Sequence, residues 1–99
     1  MIETRGGRLS IDGVSAESLA RRFKTPLYVY SSETIDERYE RLAEAFASQN
    51  PLICYAFKAN SNRAVCRRLA RRGAGAEVVS GGELWRALRA GFKPGKISF

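Results

Sequence analysis

The stretch LICYAFKAN, residues 52–60, decides how this chain is read. Leu52 to Phe57 is a near-continuous apolar run of strand length, and such runs are typical of parallel strands covered on both faces. The run ends on Lys58, whose ammonium has no place in a buried strand. Side chains alternate along a strand, so Leu52, Cys54, Ala56 and Lys58 fall on one side and Ile53, Tyr55 and Phe57 on the other. The bulky set suits packing under helices. The lysine's own side narrows to a cysteine and an alanine, which leaves room for something flat.

Downstream, Asn60, Ser61 and Asn62 make a loop from which a helix starts, with Val65, Cys66, Leu69 and Ala70 facing inward and Gly73 where a left-handed cap is expected. Ala76 to Ser80 reads as a second strand. Ser80-Gly81-Gly82-Glu83 opens a further helix carrying Leu84, Ala87 and Leu88, which ends at Gly91 ahead of Pro94. Lys96 to Phe99 begins a third strand. The order β, α, β, α, β implies parallel strands with right-handed crossovers, which either a doubly wound sheet or a (β/α)₈ barrel begins with. No G-x-G-x-x-G follows the first strand, so the dinucleotide-binding version has no support. A barrel usually needs about 250 residues, and the expectation is an N-terminal piece of a longer protein.

Upstream, Leu9 and Ile11 lie in a strand or lead-in with a turn at Gly6-Gly7. Ser15 caps a helix whose apolar face is Leu19, Ala20 and Phe23, stopped before Pro26. Leu27 to Tyr30 reads as a short strand. Ser31 or Ser32 then opens the longest helix, with Ile35, Tyr39, Leu42, Ala43 and Phe46 at helical spacing, broken by Asn50-Pro51.

Composition narrows the chemistry. The chain has 99 residues, no histidine and two cysteines, Cys54 and Cys66, whose spacing fits neither a metal knuckle nor a redox pair. Lysine, carboxylates or a cofactor must carry any reaction, and no metal site is expected. The net charge of +7 comes mainly from arginines, which fall in three separate helical patterns without interleaved aromatics. They read as solvated helix faces; a small basic nucleic-acid-binding protein is the competing reading from another class. No apolar stretch approaches the roughly 20 residues needed to span a bilayer, and the N-terminus has no signal core. Reduced thiols and a cytoplasmic setting are expected, with no nucleic-acid or membrane partner.

In parallel α/β architectures ligands bind at the C-terminal ends of strands, where Lys58 lies. A partly desolvated amine there is nucleophilic toward aldehydes, as a Schiff base with pyridoxal phosphate requires. A lysine that merely ends a strand and snorkels to water fits the same residues. Glu77, on the second strand, needs a cation, a pocket or an exposed strand start. Glu83 stands three residues after Ser80, the spacing of a helix capping box. Gly81 and Gly82 are weak evidence for a phosphate site, and none is placed there.

YAFKANSN followed by GAGAEVVSGGELWRALRAGFKPGKISF resembles the N-terminal part of the fold-type III pyridoxal-phosphate decarboxylases, on their diaminopimelate branch, over roughly residues 25–99. The lysine motif is shared with wider relatives; VSGGEL with the final stretch points to that branch. The resemblance implies a (β/α)₈ TIM barrel of the alanine racemase-like type, opened by residues 31–99, with residues 1–30 associated with a separate β-domain. It implies that Lys58 holds the pyridoxal 5'-phosphate, that Glu77 stands where relatives often carry aspartate near the cofactor, and that Glu83 and Ser80 belong to the pocket wall. The implied reaction is decarboxylation of meso-2,6-diaminopimelate to L-lysine and carbon dioxide by a homodimer, with sister enzymes for ornithine, arginine or carboxynorspermidine as alternatives. The 99-residue chain alone is expected to be inactive, because the family's other cofactor-binding residues come later.

Overall fold

The turn at Gly6-Gly7 does more than lead in. It joins β1 (Ile2–Arg5) to β2 (Arg8–Ile11) as an antiparallel hairpin, with Ile2 opposite Ile11 and Arg5 opposite Arg8. A short β3 (Val14–Ser15) adds to β2. Ser15 caps α1 (Ala16–Phe23) as expected, its hydroxyl accepting from the Ser18 amide at 3.1 Å. The computed structural model describes residues 1–99 and divides into two compact units, Met1–Arg38 and Tyr39–Phe99.

Leu27 to Tyr30 is not a strand. It joins neither sheet, and Tyr28 is 90% exposed. β-propensity without a neighbouring ladder leaves the backbone unpaired, so the expected strand does not form. Ser31 settles the start of the longest helix, α2 (Ser32–Ala45), by accepting from the Thr34 amide at 3.0 Å. A second anchor comes from Asp12, whose carboxylate accepts the Ser32 amide at 2.8 Å and the Glu33 amide at 3.2 Å. The N-terminal amine, the Ser31 hydroxyl and these amides hold the Asp12 carboxyl well below the usual carboxylate range. The apolar stripe of α2 is only partly covered, since Ile35 and Tyr39 are half-buried while Leu42 and Phe46 are exposed.

The second unit carries the parallel sheet. Its strands are β4 (Cys54–Ala56), β5 (Gly75–Glu77) and β6 (Ile97–Ser98), ordered β4-β5-β6 and all parallel. Each strand is shorter than the stretch expected for it, and β5 begins one residue before the expected Ala76 and stops at Glu77, short of Ser80. Helices α3 (Arg63–Arg71) and α4 (Gly81–Ala90) make the two connections. Cys66 and Leu69 of α3 are buried as the pattern required. In α4 the contact is made by Ala87 and Ala90, and Leu88 is exposed. Gly91 closes α4 at φ 99°, a conformation open to glycine at little cost, and the Phe92 amide reaches back to the Ala87 carbonyl at 3.1 Å. That turn seats Phe92 edge-on against Phe57, with ring centroids 5.5 Å apart. Phe57, Ala76, Val78 and Phe92 form the dry centre of this unit. No helix is long and apolar enough to cross a membrane.

Candidate functional site

The register fixes which side chains share a face. Cys54 pairs with Gly75 and Ala56 with Glu77, so these four lie on one face of the sheet; Tyr55 and Ala76 lie on the other. The second face is the one under the helices, where Ala76 and Val78 are fully buried. The first is the open face, and it is narrow. An added Cβ at Gly75 would stand 2.5 Å from the Lys96 carbonyl oxygen and 2.7 Å from the Cys54 sulfur. Glycine lets the Cys54 thiol lean across β5.

Lys58 follows β4 within a turn at residues 57–59 and is exposed. The Phe57 amide extends the ladder by donating to the Glu77 carbonyl at 3.0 Å, and the Ala59 amide closes the turn on the Ala56 carbonyl at 3.1 Å. The lysine therefore springs from the C-terminal end of β4, one residue beyond the last ladder bond. Glu77 ends β5 on the open face, half-buried, beside Ala56 in register. Its position answers the question of an acid on an interior strand: its face is the open one.

Ser80 and Glu83 stand where β5 passes into α4. The Ser80 hydroxyl accepts from the Glu83 amide at 3.1 Å, as the capping-box spacing required. The return bond goes one residue further back than usual, from the Val79 amide to the Glu83 carboxylate at 2.7 Å. Glu83 thus spends one oxygen on shaping the loop after β5. Lys58, Glu77, Ser80 and Glu83 are gathered at one end of the sheet, because parallel strands put all their C-terminal ends on one edge.

Two features go beyond the sequence reading. Tyr55, assigned to packing, also donates its hydroxyl to the Asn60 carbonyl at 2.9 Å; the Cys66 thiol lies 3.6 Å from that same carbonyl. Burial pushes the Cys66 thiol up from its ordinary value, with Arg86 opposing. The second feature is the arginines. Although they come from separate helical patterns, Arg63, Arg67 and Arg71 of α3 meet Arg89 of α4 around one shallow depression. Arg89 also stacks over Trp85, 5.0 Å from the ring centroid. No group of three or more histidine, cysteine or acidic side chains is arranged to hold a metal ion.

An exposed primary amine, a half-buried carboxylate on the neighbouring strand and the small side chains Cys54 and Ala56 make a donor set that suits a flat aldehyde bearing a cationic ring. Comparison with known proteins agrees. Residues 32–99 match the family described as pyridoxal-dependent decarboxylase, pyridoxal binding domain. The diaminopimelate decarboxylase of Aquifex aeolicus is 51% identical over 98 residues, covering 99% of this chain and 23% of that protein. The Pseudomonas fluorescens diaminopimelate decarboxylase is 50% identical over 95 residues, covering 96% of this chain and 23% of its own length. Among solved structures, diaminopimelate decarboxylase from M. jannaschii in complex with L-lysine superposes with a TM-score of 0.93 at 45% identity, over 98% of this chain and 24% of that one. The chain thus spans about a quarter of the length of the proteins it matches. Its parallel sheet and helices are the opening part of their fold-type III barrel.

Proposed function

Because the chain belongs to the pyridoxal-dependent decarboxylase family through its pyridoxal-binding domain, we propose that it forms the opening part of a diaminopimelate decarboxylase. That enzyme converts meso-2,6-diaminopimelate to L-lysine and carbon dioxide. The observation that carries the reading is the placement of Lys58 at the C-terminal end of β4, with Glu77 on the adjoining strand, in a chain 51% identical to one such enzyme.

Lys58 is the residue that would hold the cofactor, through its exposed primary amine at the C-terminal end of β4. Pyridoxal phosphate, when bound, supplies the electron sink that lets the α-carboxylate leave as carbon dioxide. With the cofactor bound, the Lys58 amine would be the group to move the proton that replaces the carboxylate. Glu77 offers negative charge on the open face, where it orients and steadies a cationic ring. Ser80 and Glu83 hold the loop after β5 in the shape that makes the pocket wall. Residues 1–30 go with a β-domain and residues 31–99 with the barrel; the hairpin belongs to an antiparallel sheet that shares no strand with the parallel one, which supports that division. A homodimer acting in the cytoplasm completes the proposal.

The test takes the whole open reading frame that encodes this chain, purified with pyridoxal phosphate. Wild type is expected to show Schiff-base absorbance and to release carbon dioxide from meso-diaminopimelate, and Lys58→Ala to lose both. Turnover of ornithine, arginine or carboxynorspermidine instead would move the protein to a sister activity. Absorbance that survives Lys58→Ala would remove Lys58 from its role.

A further inference from the structure

The turn that carries Lys58 is tied at both ends, by different means. Upstream, the Phe57 amide is in the ladder with the Glu77 carbonyl, at 3.0 Å. Downstream the ladder has ended, and a side chain takes over: the Tyr55 hydroxyl donates to the Asn60 carbonyl across five residues, at 2.9 Å. Asn60 is itself the start of an ordered lead into α3. Its side-chain oxygen accepts the Asn62 amide, and the Asn62 side chain accepts the Ala64 amide, both at 2.9 Å. Lys58 therefore sits in a short span whose far end is held by the Tyr55 phenol, by the longer contact from the Cys66 thiol to the same carbonyl and by the cap of α3.

Tyr55 lies on the sheet face opposite Ala56 and Glu77. Its register partner is Ala76, on the helix-covered face, and its ring lies 6.0 Å from the Phe57 ring, centroid to centroid. Phenylalanine would fill that packing position equally well. The hydroxyl requires a partner once half-buried, and it donates to the carbonyl two residues beyond the lysine. An amine that must repeatedly leave and recapture one carbon atom depends on backbone placement to within about 1 Å.

We propose that Tyr55 is a positioning residue for Lys58, acting through the Asn60 carbonyl. The proposal rests on the reading of Lys58 as the cofactor-binding lysine. Removing the phenolic oxygen loosens the span, and retention of the cofactor falls while the fold and the binding of the amino acid stay as they were.

The experiment uses the full-length protein and compares wild type with Tyr55→Phe, Phe92→Leu and Lys58→Ala. The readouts are the rate of pyridoxal phosphate release, kcat and KM for the amino-acid substrate, and the thermal midpoint of the cofactor-free protein. Tyr55→Phe is expected to release cofactor about three- to tenfold faster, the scale of one hydrogen bond, and to lower kcat with KM unchanged. Phe92→Leu disturbs the same aromatic cluster without touching Asn60; it is expected to lower the thermal midpoint and leave cofactor release alone. Release from Tyr55→Phe at the wild-type rate overturns the proposal, as does equal acceleration in Phe92→Leu, which would reduce Tyr55 to packing. Lys58→Ala separates the two levels: Schiff-base absorbance that survives it defeats the reading of Lys58, whereas its loss alongside an unaltered Tyr55→Phe defeats the proposal for Tyr55 alone.

Discussion

A single missing methyl group shapes the sheet face on which Glu77 lies. Gly75 is buried in β5, and the nearest atom to a Cβ placed there is the Lys96 carbonyl oxygen, at 2.5 Å. A flexible side chain could swing aside; a backbone oxygen leading into β6 cannot. Gly75→Ala must push β6 away or force Cys54 off β5, and overpacking of this kind costs about 1–3 kcal/mol. The expected result is a lower thermal midpoint in the full-length protein, with cofactor binding weakened because Glu77 lies two residues along the same strand. A midpoint equal to wild type would mean that β5 and β6 are less tightly coupled than this contact requires. Gly75 was not singled out in the sequence. Within GAGAEVV the local signal falls on Gly73, as a helix cap, while the demand for glycine at 75 comes from a neighbouring strand and not from a turn.

Where an element's signal lies within a few consecutive residues, the chain could be read directly. Ser15, Ser80 and Gly91 sit at helix ends as expected, because capping is a local exchange of hydrogen bonds. The strand at Leu27 to Tyr30 failed for the opposite reason: apolar and β-prone residues specify a strand only when another ladder lies alongside. Lys58 was legible as a candidate because ligands bind at the C-terminal ends of parallel strands, whereas Glu77, Ser80 and Glu83 became candidates for the pocket through the family resemblance. The hydrogen bond from Tyr55 to Asn60 was not, since an aromatic in an alternating run signals packing whether or not its hydroxyl is used. At the start of α4 the cap and the loop are one structure. Ser80→Ala removes the acceptor for the Glu83 amide, and a loss of about 1 kcal/mol is expected. It should also free the Glu83 side chain from the Val79 amide, so exchange of the Val79 amide hydrogen is expected to quicken in the full-length protein. Unchanged protection there would show that Glu83 holds the loop without help from Ser80.

At the scale of the whole chain, the number and size of its buried side chains decide what it can do by itself. In the second unit Phe57, Leu69, Val78 and Phe92 are the large or branched residues under cover, and Ala74, Ala76, Ala87 and Ala90 contribute little apolar area each. The first unit buries one apolar residue, Ile11. Against this, ordering the backbone costs roughly 1–2 kcal/mol per residue. The sheet adds a second difficulty, because β4 and β6 each pair on one side only, and parallel sheets are stable when both faces and both edges are covered. Leu52 and Phe99 beside those strands are 53% and 82% exposed. The 99-residue chain on its own is therefore expected to unfold without a cooperative transition, to bind a hydrophobic dye and to show rapid amide exchange in β4 and β5. Hydrogen exchange and calorimetry on the isolated chain decide the matter. A single sharp transition with protected amides along both strands would mean that α3, α4 and the Phe57–Phe92 contact suffice to hold the sheet, and that the placement of Lys58 is built into this segment.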